Sequence, residues 1–119
     1  MKSGIIPTSV HAVEDYLTSG TVPLAARKLG VTPATRHIMD SVAAVSGMQS
    51  LMTDYEGGLE RIMPMRMHLR MDMLMGVGLI ATAALMWRKP RVDRLALGGL
   101  GLVALASGLL TSSEPSHRS

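Results

Sequence analysis

Apolar and polar positions are distributed unevenly along the chain. Residues 73 to 87, "MLMGVGLIATAALMW", carry no charge, and neither do residues 95 to 113, "LALGGLGLVALASGLLTSS". The polar stretch "RKPRVDR" separates them. A membrane-spanning helix needs about 20 mostly apolar residues, with a lower limit near 17. The second run meets this limit, and the first does once Met71 and Asp72 at its outer end are counted. Two runs of this kind leave no polar face for water. The plainer alternative is a pair of buried helices in a soluble protein. The N-terminal half is more polar. Glu14, Asp15 and an internal Pro23 interrupt one stretch, and Arg36, His37, Asp40 and Gln49 the next. A central Asp costs roughly 2.5–3.5 kcal/mol on insertion scales. A surface-lying amphipathic pair is therefore the alternative to two further spans.

Helix punctuation gives four elements. Pro7 with Thr8 or Ser9 starts a helix that runs to about Leu29, where Gly30 serves as its C-terminal cap. Thr32 and Pro33 form an N-cap and first-turn pair for a second helix, ending near Thr53. "TDYEGG" breaks it. Pro64 opens a third helix, which stops before Pro90, and a fourth covers about Val92 to Thr111. The tail "SSEPSHRS" is expected to fray. The fold class is all-α: a single membrane domain over residues 1–119, built from a hairpin at 7–56 and another at 64–114.

Composition supports helices. The chain is 47% hydrophobic, yet has no Phe, one Trp and two Tyr. Leu, Met, Ala and Gly carry the apolar load, whereas sheets favour β-branched and aromatic residues. The absence of cysteine removes disulfides, thiolate metal sites and thiol nucleophiles. A net charge of +3, scattered at the ends of apolar runs, makes no nucleic-acid footprint. The N-terminus has no apolar stretch of the secretory-signal kind. "GGLGLVALASG" follows no strand and is not a nucleotide loop. No Ser/His/Asp order points to hydrolysis, and no enzymatic activity or cofactor is expected.

Internal comparison singles out four side chains. Aligned at an offset of 57, Ile5, Pro7, His11, Asp15 and Leu17 match Ile62, Pro64, His68, Asp72 and Leu74. At an offset of 58, Leu51, Thr53 and Glu56 match Leu109, Thr111 and Glu114. The chain therefore reads as two copies of one helical hairpin. In each copy His and Asp stand at i and i+4, on one face and one turn apart. Two readings follow for His11, Asp15, His68 and Asp72. The structural one is a clasp at the helix start, or a pairing between hairpins that lowers the cost of polar groups near a membrane boundary. The functional one is a proton relay or ligand site. Methionines are not matched between the copies: opposite Met63, Met67, Met71 and Met75 stand Ile6, Val10, Glu14 and Thr18. Thioethers at i, i+4 steps suit Cu(I), but a methionine stripe is expected here as packing. His37 and Asp40 have no counterpart and fit a solvated helix end. Gly98, Gly101, Ala104 and Gly108 form a small-residue face that favours close helix packing.

"TDYEGGLERIMPMRMHLRMD", with His-x-x-x-Asp occurring twice, resembles the small bacterial membrane proteins of the SPW-repeat type. The resemblance covers roughly residues 7 to 112. It implies paired transmembrane helices and supplies no catalytic residues. Where that family carries Ser-Pro-Trp, this chain reads Leu24-Ala25-Ala26 and Thr82-Ala83-Ala84.

Charge suggests an orientation. Arg27, Lys28 and Arg36 flank the first hairpin turn, and Arg88, Lys89, Arg91 and Arg94 the second. Both turns are expected in the cytoplasm, with both termini outside. Arg61, Arg66 and Arg70 in the connector are balanced by Asp54, Glu56 and Glu60. The expectation is a multi-pass protein of the bacterial inner membrane, structural or accessory in role, with lipid and other membrane subunits or a second copy as partners. The alternative is a small-molecule, proton or metal-responsive membrane protein that uses the repeated His/Asp pairs.

Overall fold

The computed structural model describes residues 4–114. It contains four helices: α1 (Thr8–Leu29), α2 (Pro33–Met52), α3 (Met65–Leu85) and α4 (Arg91–Leu110). Element type and order agree with the sequence expectation, and the ends fall within a few residues of it. Pro115–Ser119, most of the tail expected to fray, lie outside the described residues.

Local chemistry explains the ends. Gly30 closes α1 in the left-handed region (φ 68°), and its N–H donates to the Arg27 carbonyl. This conformation carries no steric penalty for glycine. Pro33 opens α2, where a missing N–H costs nothing. Thr32 occupies the N-cap position, but its side chain makes no cap bond to its own helix. It is used instead between hairpins, as described below. Pro64 and Pro90 precede α3 and α4 in the same way.

Each hairpin packs its two helices along their length, most closely in α3–α4. There Gly76 and Gly101 face each other. A Cβ on Gly76 would fall 2.6 Å from the Gly101 carbonyl oxygen, and one on Gly101 2.7 Å from that of Gly76. The small-residue face of α4 is therefore used inside the chain at Gly101 and also at Gly108, where a Cβ would lie 3.0 Å from the Leu69 oxygen. Gly98 meets the Ala83 methyl at ordinary contact distance, and Ala104 borders a small cavity. Both hairpins contribute to one apolar cluster: Val22, Ala26, Met39 and Ala43 from the first, Leu79, Ala83 and Leu97 from the second. Met75 packs against it, and Met65 is buried in a second cluster with Ala12, Tyr55 and Leu69. Of the methionine stripe, Met75 packs against the core, whereas Met67 is half exposed.

Two isolated parallel bridges stitch the hairpins crosswise at one end of the bundle. Ile6, before α1, pairs with Thr111, after α4. Met63, before α3, pairs with Thr53, after α2. By length and composition α3 and α4 could cross a membrane.

Candidate functional site

The crosswise stitching carries the four His/Asp residues into one cluster. His11 and Asp15 lie in the first two turns of α1, and His68 and Asp72 in the first two turns of α3. All four are buried, the two histidines almost completely. The His11 Nε2 lies 3.2 Å from an Asp15 oxygen and 2.9 Å from an Asp72 oxygen. The His68 Nε2 lies 3.1 Å from Asp15 and 3.2 Å from Asp72. Each imidazole therefore meets the carboxylate of its own helix and that of the other hairpin. Both arrangements considered from sequence bring the groups together, at 3.2 Å within each helix and at 2.9 and 3.1 Å between hairpins, but the aligned hydrogen bond is the one between hairpins, His11 to Asp72. The two rings stand edge to face, with centroids 5.2 Å apart.

The outer nitrogens are held by threonines. His68 Nδ1 is 2.7 Å from Thr53 Oγ1, and His11 Nδ1 is 2.8 Å from Thr111 Oγ1. Each threonine hydroxyl donates to the carbonyl four residues back, Gln49 and Ser107 respectively, at 2.6 Å. With its proton used there, the hydroxyl oxygen accepts from the ring. Nδ1–H is thus the donor in both histidines. Ser107 adds a second acceptor for His11 at 3.0 Å, while its own proton goes to Glu14. Among the described residues His68 has no such second acceptor. Each threonine belongs to the opposite hairpin from the histidine it holds.

Fixing Nδ1 determines what faces the carboxylates. An Nε2 lone pair pointing at a carboxylate oxygen at about 3 Å is repulsive. A proton or another cation must stand between them. The His11 Nε2 makes a well-aligned hydrogen bond with Asp72. The His68 Nε2 is close to both carboxylates but, among the described residues, forms a well-aligned hydrogen bond with neither.

Two further groups complete the carboxylate shell. Tyr55 donates to Asp15 at 2.8 Å. Burial, together with the nearby Asp15 charge, pushes the Tyr55 hydroxyl above its ordinary ionisation range and keeps it a donor. The Gln49 amide donates to Asp72 at 3.2 Å. A cavity of about 30 Å³, with room for one water-sized group, adjoins Asp15 and Asp72 and is bordered by Glu14, Thr18, Ser46 and Met75.

The chain matches no family model, no curated protein and no solved structure.

The other end of the bundle holds a second polar knot. Asp93, fully buried in the first turn of α4, accepts from the Thr32 N–H at 3.1 Å, from the Thr32 hydroxyl and from the Thr35 hydroxyl at 2.6 Å. It caps α2 from the neighbouring hairpin, where the helix dipole favours a negative charge. The Lys89 ammonium stands 3.8 Å away. His37 is exposed, and Asp40 forms a two-pronged pair with Arg27 at 2.8 and 2.9 Å, which ties α1 to α2. From sequence, Thr53 and Thr111 stand out only as matched positions, and Asp93, Tyr55 and Gln49 do not stand out as site residues.

Proposed function

We propose that the chain is a small, non-enzymatic, multi-pass protein of the bacterial inner membrane, structural or accessory in role, whose two hairpins are tied together by the His/Asp cluster. The observation that carries this reading is the apolar outer surface of the bundle together with the polar groups buried inside it. Large apolar side chains point outward from all four helices: Val13 and Leu24 on α1, Val45 and Met48 on α2, Leu74 and Val77 on α3, Leu95 and Leu102 on α4. Their exposures run from 48% to 73%. Histidine, aspartate, glutamine and threonine side chains are buried beside the apolar clusters. Water penalises such a surface, and lipid accepts it.

Helix length supports the same reading. Helices of 20 to 22 residues rise about 30 Å at 1.5 Å per residue, about the thickness of the hydrocarbon core. Asp15 no longer counts against a spanning α1, because it faces the cluster and not the lipid. Trp87 sits exposed at the hairpin-turn end with the Arg88 guanidinium 4.9 Å from its ring, a pairing suited to a headgroup region. The twice-occurring His-x-x-x-Asp and its likeness to SPW-repeat proteins agree with paired spans. Since Gly101 and Gly108 are used against α3, a partner subunit would dock on the outward aliphatic faces.

Membrane fractionation tests this. The full chain should stay in the pellet after alkaline carbonate extraction. A reporter in the 86–90 turn should read cytoplasmic, and one at the C-terminus external. Release into the supernatant would sink the membrane reading, and a cytoplasmic C-terminus the even number of spans. A metal- or proton-responsive role is the second reading, favoured by the His68 Nε2 that aligns with no acceptor.

A further inference from the structure

We infer that His11, Asp15, His68 and Asp72 form a binding site for one divalent transition cation, with Zn²⁺ as the best-fitting ion. This gives the metal-responsive reading a named ligand. It rests on the four side chains and not on the membrane assignment.

One donor atom from each residue lies within 4.8 Å of the other three. The nitrogen-to-oxygen separations, 2.9 to 3.2 Å, are slightly shorter than the roughly 3.3–3.4 Å between neighbouring donors in a tetrahedron with bonds of about 2.0–2.1 Å. Both rings face the same Asp72 oxygen but different Asp15 oxygens, so admitting the ion requires the short pairs to open by a few tenths of an ångström and the widest pair, within 4.8 Å, to close.

The chemistry of the donors agrees. Both imidazoles present Nε2 inward and have Nδ1–H fixed by threonine, the arrangement that holds a metal-bound histidine in its tautomer. The His68 Nε2, 1% exposed and without an aligned acceptor, is aimed at the centre and becomes a lone-pair donor once a metal ion replaces the proton there. The two carboxylates carry two negative charges, which a divalent ion neutralises while both imidazoles bind as neutral bases. Tyr55 and Gln49 supply outer hydrogen bonds to the carboxylates. The set is two nitrogens and two oxygens with no sulfur, which suits Zn²⁺ or Co²⁺ and does not suit Cu(I). The methionine stripe lies outside it. Glu14, partly exposed at the edge of the small cavity beside Asp15 and Asp72, offers a way in.

The test uses the full chain without a histidine tag, purified in mild detergent, stripped with chelator and titrated with Zn²⁺ against a competing chelator. One Zn²⁺ per chain is expected, and Co²⁺ should give the intense visible absorption of a tetrahedral site. Asp15→Asn with Asp72→Asn should abolish both. Thr53→Val, which leaves all four ligands in place, should weaken Zn²⁺ binding by about 10–100-fold. His37→Ala, on the exposed face of α2, should change nothing. Absence of stoichiometric Zn²⁺, a Co²⁺ spectrum without the tetrahedral bands, binding that survives the double Asp change, binding unaltered by Thr53→Val, or binding lost with His37→Ala would each overturn the site. None of these outcomes bears on membrane extraction, so the two proposals fail separately.

Discussion

The two hairpins contribute matching polar groups through different packing. Each supplies one His, one Asp and one Thr to the cluster. In α3–α4, glycines at 76 and 101 let the backbones touch. The matching positions in α1–α2 are Ser19 and Ala43. There the small residue is Gly47, whose missing Cβ would meet only the Ser19 side chain at 3.3 Å. Hydroxyl chemistry differs as well: the Ser19 Oγ is buried without a partner among the described residues, and Gly76 occupies that place in the second hairpin. The apolar interface tolerates variation because volume can be exchanged between neighbouring positions. The polar cluster has no such freedom, since each buried donor needs its acceptor.

Removing one member of the cluster should therefore have the largest effect. Asp72 serves both histidines, one from each hairpin. Asp72→Leu should lower stability in detergent by about 3–5 kcal/mol, the scale for breaking a buried ion pair from one side. Crosswise wiring makes a sharper demand. His11 and Asp72 belong to different hairpins, so the double change His11→Leu with Asp72→Leu should cost clearly less than the sum of the singles. Strict additivity in thermal melts would mean that the hairpins are not joined through this contact.

The glycines come next, and the same substitution should behave differently in the two hairpins. Gly101→Ala puts a Cβ against the Gly76 carbonyl, which only a backbone shift can relieve. A loss of about 1–3 kcal/mol is expected, despite the better helix propensity of alanine. Gly47→Ala meets only a movable serine and gains up to about 1 kcal/mol of propensity. It should be neutral or stabilising. Equal losses at the two sites would show that the hairpins pack alike.

Much of this was legible from sequence because it is local. Proline starts, the Gly30 stop and the charge-free runs gave four helices with ends nearly right. The His/Asp quartet was visible because the same spacing occurs twice. What could not be read was the wiring. Thr53 and Thr111 each hold a histidine of the other hairpin, 15 and 100 residues away in sequence. Spacing within a helix carries no information about which hairpin supplies the partner. The matched threonines were a signal, since hydroxyls at equivalent helix ends in two copies invite a common role. Tyr55 and Asp93 offered none. The first has no matched counterpart, and the second acts on a helix it does not belong to.

The threonines yield a smaller and more discriminating prediction. Thr53→Val leaves the His68 Nδ1–H buried with no acceptor. Thr111→Val leaves the His11 Nδ1–H with Ser107 still 3.0 Å away. An unsatisfied buried donor costs about 1–3 kcal/mol, so Thr53→Val should fall in that range and Thr111→Val below it. Adding Ser107→Ala to Thr111→Val should bring the second hairpin's loss up to that of the first. Denaturation of the three variants beside the unaltered chain decides the matter. Equal losses from the two single threonine changes would remove the asymmetry assigned to Ser107.

The smallest effect is expected at the methionines, the feature that most invites a soft-metal reading from sequence alone. Met67 is half exposed, Met71 and Met75 are partly buried, and Met75 lies against the apolar core. None touches the His/Asp cluster through a hydrogen bond. Leucine is close to methionine in volume, and such exchanges usually cost less than about 1.5 kcal/mol. The triple change Met67→Leu, Met71→Leu and Met75→Leu should leave melting temperature and membrane recovery nearly unaltered, and Zn²⁺ binding unaltered. Stoichiometric copper in the purified wild type, lost in this variant, would move the metal chemistry from the interior of the bundle to the face of α3. In that case the two hairpins would differ in function as well as in packing, because the first has no methionine at any of the matching positions.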